Sequence, residues 1–185
     1  MNENKRIDIR LLVAANQVFQ APERIDIAAT NLTRLLVAML GLKGCSLFAL
    51  NSKTGELEVL ASAGMSTQYL NKGPLLFEKS MAGRAASDPI VITDTADTRQ
   101  LQYPEAAQAE GIQAMASLPV LFRDKVVGVL RLYSADAWEP SADDVNALLL
   151  LAENIGMVMM VSRLGLALAT VKETVDGIHN VWLAQ

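Results

Sequence analysis

The sequence predicts an α+β fold: an antiparallel sheet with helices at both chain ends. Three observations carry this. Apolar residues recur at helical spacing near both termini. Two pairs of short β-type runs are each joined by a tight turn, which implies antiparallel hairpins. The period changes from helical to strand-like after Gly41 and returns to helical from Ser141.

The first helix spans residues 5–20, where Ile7, Leu11, Ala14 and Val18 repeat and Leu12, Ala15 and Phe19 widen the face. Pro22 breaks it. A second helix runs from about Ile25 to Leu40 and ends at Gly41 and Gly44. The period then changes. Cys45 to Leu50 and Leu57 to Ser62 read as a hairpin, with Asn51 to Gly55 as its turn and Gly55 able to take positive φ. Residues 64–78 read as a loop, and Glu78 to Ser87 as a short helix. Ile90-Val91-Ile92 is a third strand ending at Asp94, and an Ala-rich stretch closed by Gly111 forms another short helix. Ala114 to Phe122 and Lys125 to Tyr133 form the second hairpin around Arg123-Asp124. Pro119 within it predicts an edge position or a bulge. Ser141 begins a long helix, with Asp143 and Asp144 complementing the dipole of its first turn.

The 185 residues suit one domain with added length at its ends, and the 51% apolar content supplies a full core. A net charge of −4 with scattered Lys and Arg disfavours nucleic acid. Cys45 is the single cysteine, so no internal disulfide forms and a reducing compartment is expected. The start carries no long apolar secretory region. The most apolar stretch, Ala147 to Val161, contains Glu153 and Asn154. No membrane association and a cytoplasmic location are therefore expected.

The C-terminal helix has the sharpest period. Val161, Leu164, Leu168, Val171, Val175, Ile178 and Trp182 alternate three and four apart, extending back through Met157, Asn154, Leu150 and Ala147. Asn154 falls at a position where a buried polar residue fixes register. Gly165 and Gly177 each cost about 1 kcal/mol in a helix interior, and paired flanking charges are missing. A helical bundle with the N-terminal helix fits better than a two-stranded coil. The expected interface residues are Leu11, Val18, Asn154, Val161, Leu164, Leu168, Val171 and Val175. The alternative is an intramolecular pair in which residues 7–19 cover the seam.

From about Ile25 to Val161 the chain resembles the GAF domain family. The resemblance rests on Gly44 to Leu50, the turn Thr54-Gly55-Glu56-Leu57, Ala61 to Gly64, Met81 to Ala85 and Asp88 to Asp94. Its most specific part is Glu110-Gly111-Ile112, then Ser117-Leu118-Pro119-Val120 and Val126 to Tyr133, before Asp143-Asp144 opens the closing helix. The resemblance implies a PAS/profilin-like antiparallel sheet of about five or six strands, with terminal helices on one face and a ligand pocket on the other. It suggests an N-terminal dimerisation helix over residues 1–20, a GAF domain over 21–162 and a helical extension over 163–185. It also implies a bacterial signalling protein, either stand-alone or excised.

Carried onto this chain, the family pocket falls at Phe48, Met81, Ala82, Ile92, Tyr103, Ala107, Met115 and Ser117, with Arg84 a further polar group. The set is mainly apolar and suits a small or moderately hydrophobic ligand. Alternatively, Met81 and Met115 fill the space themselves. The known ligand signatures are missing. Asn71-Lys72 is followed by Gly73-Pro74, so the cyclic-nucleotide signature Asn-Lys-Phe-Asp-Glu is not completed. Cys45 lies outside the pocket segments, where a bilin thioether would need it. The family's free-methionine-sulfoxide reductase chemistry needs a second thiol. His179, the single histidine, lies far from the pocket, so neither haem nor a metal site is expected and no cofactor is assigned. Asp94, Asp97, Asp136, Asp143 and Asp144 read as turn and helix-start residues rather than acid–base pairs. The expected function is a non-enzymatic sensor for an unidentified small molecule, signalling through a homodimeric bundle to a kinase or other effector. The alternative is a ligand-free dimerisation or interaction domain.

Overall fold

The computed structural model describes residues 7–19, 24–77, 89–95 and 101–183, with side chains described as far as Asp176. The helix expected over Glu78 to Ser87 lies outside the described residues. The elements in chain order are α1 (Ile9–Phe19), α2 (Ile25–Leu40), β1 (Gly44–Leu50), β2 (Glu56–Ala63), α3 (Thr67–Leu70), β3 (Leu75–Leu76), β4 (Ile90–Ile92), α4 (Pro104–Ala109), β5 (Ala114–Phe122), β6 (Lys125–Ser134) and α5 (Ala142–Leu183). The strands form one six-stranded antiparallel sheet in the order β3-β2-β1-β6-β5-β4. The α+β class and both hairpins are as the sequence predicts.

Local chemistry sets the turns. Asn51 Oδ1 accepts from the N–H groups of Lys53 and Thr54 at 3.0 and 3.3 Å, and Gly55 takes φ +71°. The β5–β6 turn places Arg123 and Asp124 both at positive φ, 48° and 62°, the geometry that matches strand twist in a two-residue hairpin. Pro119 lies beyond the stretch of β5 that pairs with β4, and a register shift follows between Val120 and Leu121. Residues 64–77 are more ordered than the loop the sequence suggests. Ser66 caps the single turn of α3, and Leu75-Leu76 adds to the edge of β2 opposite Leu57 and Glu56. A two-residue strand has no periodicity to read; sheet pairing alone defines it.

Period-two alternation divides the sheet into two faces. Cys45 and Leu47 of β1, Ala114, Ala116, Leu118 and Val120 of β5, and Leu130 and Leu132 of β6 join the main core with α1, α2 and α5. The opposite face carries two smaller clusters, one around Tyr69, Met115 and Tyr133 and another around Phe48, Leu57 and Val129. Ser141 and Asp144 bond reciprocally at the start of α5, and Asp144 Oδ1 also accepts from the Ile7 N–H at 2.8 Å. The two helical ends are thereby tied at their beginnings.

The placement of α1 corrects part of the expected interface. Leu11 is buried in the chain's own core, and Val18 packs partly against it. The face of α1 left outward carries Ile9 and Val13. Nor does α1 cover the C-terminal seam. Val161, Leu164, Leu168, Val171 and Val175 are each more than half exposed. The α5 segment Ala142–Asp176 is long and apolar enough to cross a membrane by length and composition, but Leu148, Leu151, Ala152, Ile155 and Met159 within it pack on the sheet.

Helix α5 sits against β5 at Gly156, where an added Cβ would overlap the Leu121 carbonyl oxygen. At Gly165 a Cβ would meet nothing within 4 Å. Opposite outcomes are therefore expected from the same substitution in one helix. Gly156→Ala should destabilise by about 1–3 kcal/mol through overpacking against backbone, and Gly165→Ala should stabilise by about 0.5–1 kcal/mol. Urea unfolding of the two variants measures both signs.

Candidate functional site

The face opposite the terminal helices is floored by three rows of cross-strand neighbours. The middle row is polar: Ser62, Ser46, Arg131 and Ser117 stand in register across β2, β1, β6 and β5. The Ser46 and Ser62 hydroxyls bond each other at 2.8 Å. One flanking row runs through Tyr133, Met115 and Ile92. The other holds Phe48, Val129 and Pro119.

Short segments roof this floor. Tyr69 of α3 meets Tyr133 edge to face, ring centres 5.7 Å apart. The following Lys72 lies with Nζ 3.7 Å above the Tyr69 ring and donates to the Tyr69 carbonyl at 2.9 Å. From the other side, the Tyr103 hydroxyl and Gln102 Nε2 both donate to the Pro74 carbonyl, at 2.8 and 2.9 Å. Gly73 holds φ +128°, and a Cβ there would come within 2.7 Å of the Tyr103 oxygen, so the close approach of these two segments requires glycine. Beneath them a cavity of about 20 Å³ remains, bounded by Tyr69, Lys72, Tyr103, Met115 and Arg131. That is room for about one water.

The electrostatics are positive. Arg131 is buried, with its guanidinium 5.4 Å from the Phe48 ring. Among the described residues no salt bridge includes it, and its Nε has no hydrogen-bond partner. The Ser117 and Tyr133 hydroxyls and Gln102 Oε1 are likewise buried without a partner. Each such atom costs about 1–3 kcal/mol. Burial pushes the Tyr69 and Tyr133 hydroxyls well up, so both stay neutral. Burial, helped by the Arg131 charge, lowers the Lys72 ammonium to about 8. Glu110, whose charge acts on Lys72, bonds the Ser66 N–H at 2.9 Å and its hydroxyl.

Several residues expected from sequence meet here. Tyr103 and Met115 bound the cavity. Ile92, Ala107 and Met115 share one cluster, and Phe48 anchors the next. Ser117 stands opposite Arg131. Met81, Ala82 and Arg84 lie outside the described residues. The sequence reading missed Tyr69, Lys72, Gln102, Arg131 and Tyr133. A usable signal existed for Arg131, a charge inside the apolar run Val129 to Tyr133 in phase with two inward residues. For Tyr69 and Lys72 no period was available. Cys45 lies on the helix-covered face with its thiol pushed well up by burial.

A GAF domain family profile matches residues 24–159, and the chain belongs to the GAF domain family, a family of signalling sensor domains. Its fold is similar to that of the GAF domain from a phosphoenolpyruvate-protein phosphotransferase of Coxiella burnetii, at TM-score 0.76 and 18% identity over 86% of this chain and 96% of that one. The free methionine-R-sulfoxide reductase of Neisseria meningitidis, solved with its substrate, aligns at TM-score 0.71 and 16% identity over 84% of this chain and 89% of that one. A phycocyanobilin-bound GAF domain from a cyanobacterial phytochrome aligns at 0.65 and 16%, over 86% and 98%. No curated protein matches the sequence.

The low value for Lys72 carries a stability signature. Below about pH 8 the folded state holds a charged, half-buried ammonium at a cost; between about 8 and 10.5 folding releases that proton, so this contribution to stability rises with pH. Buried Tyr69 and Tyr133 act in the opposite sense only near and above about pH 10. The urea midpoint of the wild type should therefore gain on that of Lys72→Met between about pH 7.5 and 9.5. Parallel midpoints across that window would contradict the assignment.

Proposed function

We propose that this chain is a small-molecule-sensing regulatory domain that acts in the cytoplasm as a homodimer and passes its state through paired terminal helices to a kinase or other effector. One observation carries the reading: the same sheet bears a roofed pocket on one face and, on the other, a helix that leaves the fold with its apolar stripe uncovered. Exposed stripes of this length mark association surfaces. A second copy of the chain is the natural cover, because the stripe keeps an uninterrupted three-four spacing that pairs with itself.

A wide cleft of about 840 Å³ adjoins the stripe, bounded by Asn16, Phe19, Ile25, Asn154, Met157 and Val161. It provides space for a partner helix between α5 and the N-terminal pair. Asn154 within it would fix the register of such a bundle, and Ile9 and Val13 replace Leu11 as the outward residues of α1. The domain works by binding rather than catalysis in this reading. Its single thiol is buried away from the pocket and held protonated, which suits neither a nucleophile nor a thioether anchor.

Sedimentation equilibrium at micromolar concentration should give a dimer for the wild type and a monomer for the double variant Leu168→Glu, Val171→Glu, with the far-UV spectrum of the sheet retained. Two charges per helix at the centre of an apolar seam should weaken association roughly 100-fold or more. A wild-type monomer at these concentrations would remove the dimeric part of the proposal.

A further inference from the structure

We infer that the pocket is an anion site: a compact oxyanion, such as the carboxylate of a short acid or an inorganic ion of similar shape, is held by the Arg131 guanidinium with the Ser117 and Tyr133 hydroxyls beside it and Lys72 at the mouth. This rests on the reading of the pocket as a sensing site and names the chemistry it senses.

Four observations converge. First, Arg131 is only 5% exposed, borders the cavity and has no carboxylate partner among the described residues. A buried, uncompensated guanidinium is strongly unfavourable, and an anion removes that penalty. Second, its cross-strand neighbour Ser117 and Tyr133, two residues along β6, present buried hydroxyls that make no hydrogen bond of ordinary geometry, with the Tyr133 hydroxyl close to the Ser46 hydroxyl and the Arg131 guanidinium. Both stand ready to donate, since burial keeps the Tyr133 proton on oxygen. Third, no Asp or Glu is among the described residues that line the cavity, and Lys72 adds a second cation. Glu110, the described acid whose charge acts on Lys72, is engaged by Ser66. Fourth, the space of about 20 Å³ excludes a nucleotide or tetrapyrrole without rearrangement, and an oxyanion larger than one water enters as the Tyr103 and Gln102 bonds to the Pro74 carbonyl open. The planar guanidinium matches a planar oxyanion through paired hydrogen bonds.

The test is thermal unfolding of the full chain at constant ionic strength, with sodium acetate, sodium nitrate or inorganic phosphate titrated in, and acetamide as the neutral match to acetate. Acetate, nitrate or both should raise the melting temperature saturably, while acetamide has no effect. Arg131→Gln should weaken the apparent affinity roughly 25-fold or more, and this also separates site binding from general salt stabilisation. Arg131→Met should melt higher than wild type without ligand and respond to no anion, because it removes the unpaired charge. Lys72→Gln, at the roof, gives an independent and smaller weakening should the strand variants unfold. A stronger response to acetate identifies carboxylates as the source, and a stronger response to nitrate or phosphate identifies inorganic anions. Equal stabilisation by acetamide, an unchanged acetate response in the Arg131 or Lys72 variants, or no response to any anion would overturn the inference. Stabilisation by neutral ligands alone would overturn the anion site and leave the sensing role intact. Anion binding that leaves the dimer unaltered would do the reverse.

Discussion

The two-residue alternation of β1, of β5 as far as Val120 and of β6 from Gly128 is the constraint on which the other features depend. Their outward-to-helix positions are filled with Cys45, Leu47, Leu118, Leu130 and Leu132, and this face is dry and closely packed. The contact is tight enough that Gly156 of α5 rests on the backbone at Leu121. Alternate positions of the same strands must then face away from the helices. They carry Ser46, Phe48, Ser117, Arg131 and Tyr133. A slip of one residue would put a guanidinium into the main core, so burial of the leucines also fixes where the charge stands.

Each of the two exceptional features is unsatisfied within the chain as described. Arg131 is a buried cation without an acidic partner, and the α5 stripe is an apolar surface without a cover. A folded domain tolerates such costs where a binding partner offsets them. The sheet is their shared wall. Arg131 and Tyr133 alternate along β6 with Leu130 and Leu132, which belong to the core that contains Leu148, Leu151 and Ile155 of α5. A ligand bound between Arg131 and Lys72 would therefore act on strands in contact with α5. Coupling follows only where the ligand binds two helical arrangements with different affinity.

Much of this was legible from the residues. Two hairpins, the third strand and the long helix were written in period and turn chemistry, because each is long enough to show alternation or carries Gly, Asn or Ser at a defined point. The floor of the pocket was partly visible, since Phe48, Met115 and Ser117 share the phase of their strands. Its charge was overlooked because Arg131 sits in an apolar run, where one polar residue has little weight in a pattern. The roof was hidden for a different reason. Tyr69 and Leu75 lie on one helical turn and a two-residue strand, and Lys72 in the bend between them, features that only tertiary contacts define. Leu11 was misassigned because its helix is amphipathic on more than one side, with Ile9 and Val13 outward and Leu11 and Ala15 inward. Composition alone cannot choose between an apolar face for the core and one for a partner.

The central claim is that one domain links pocket chemistry to helix pairing. The most direct measurement is the dimer dissociation constant, determined by sedimentation with and without a saturating concentration of the anion that binds best, in wild type and in Arg131→Gln. Linkage predicts that the anion shifts the wild-type constant by roughly fivefold or more and leaves that of Arg131→Gln unchanged. A wild-type constant that is the same with the pocket full and empty would contradict the account.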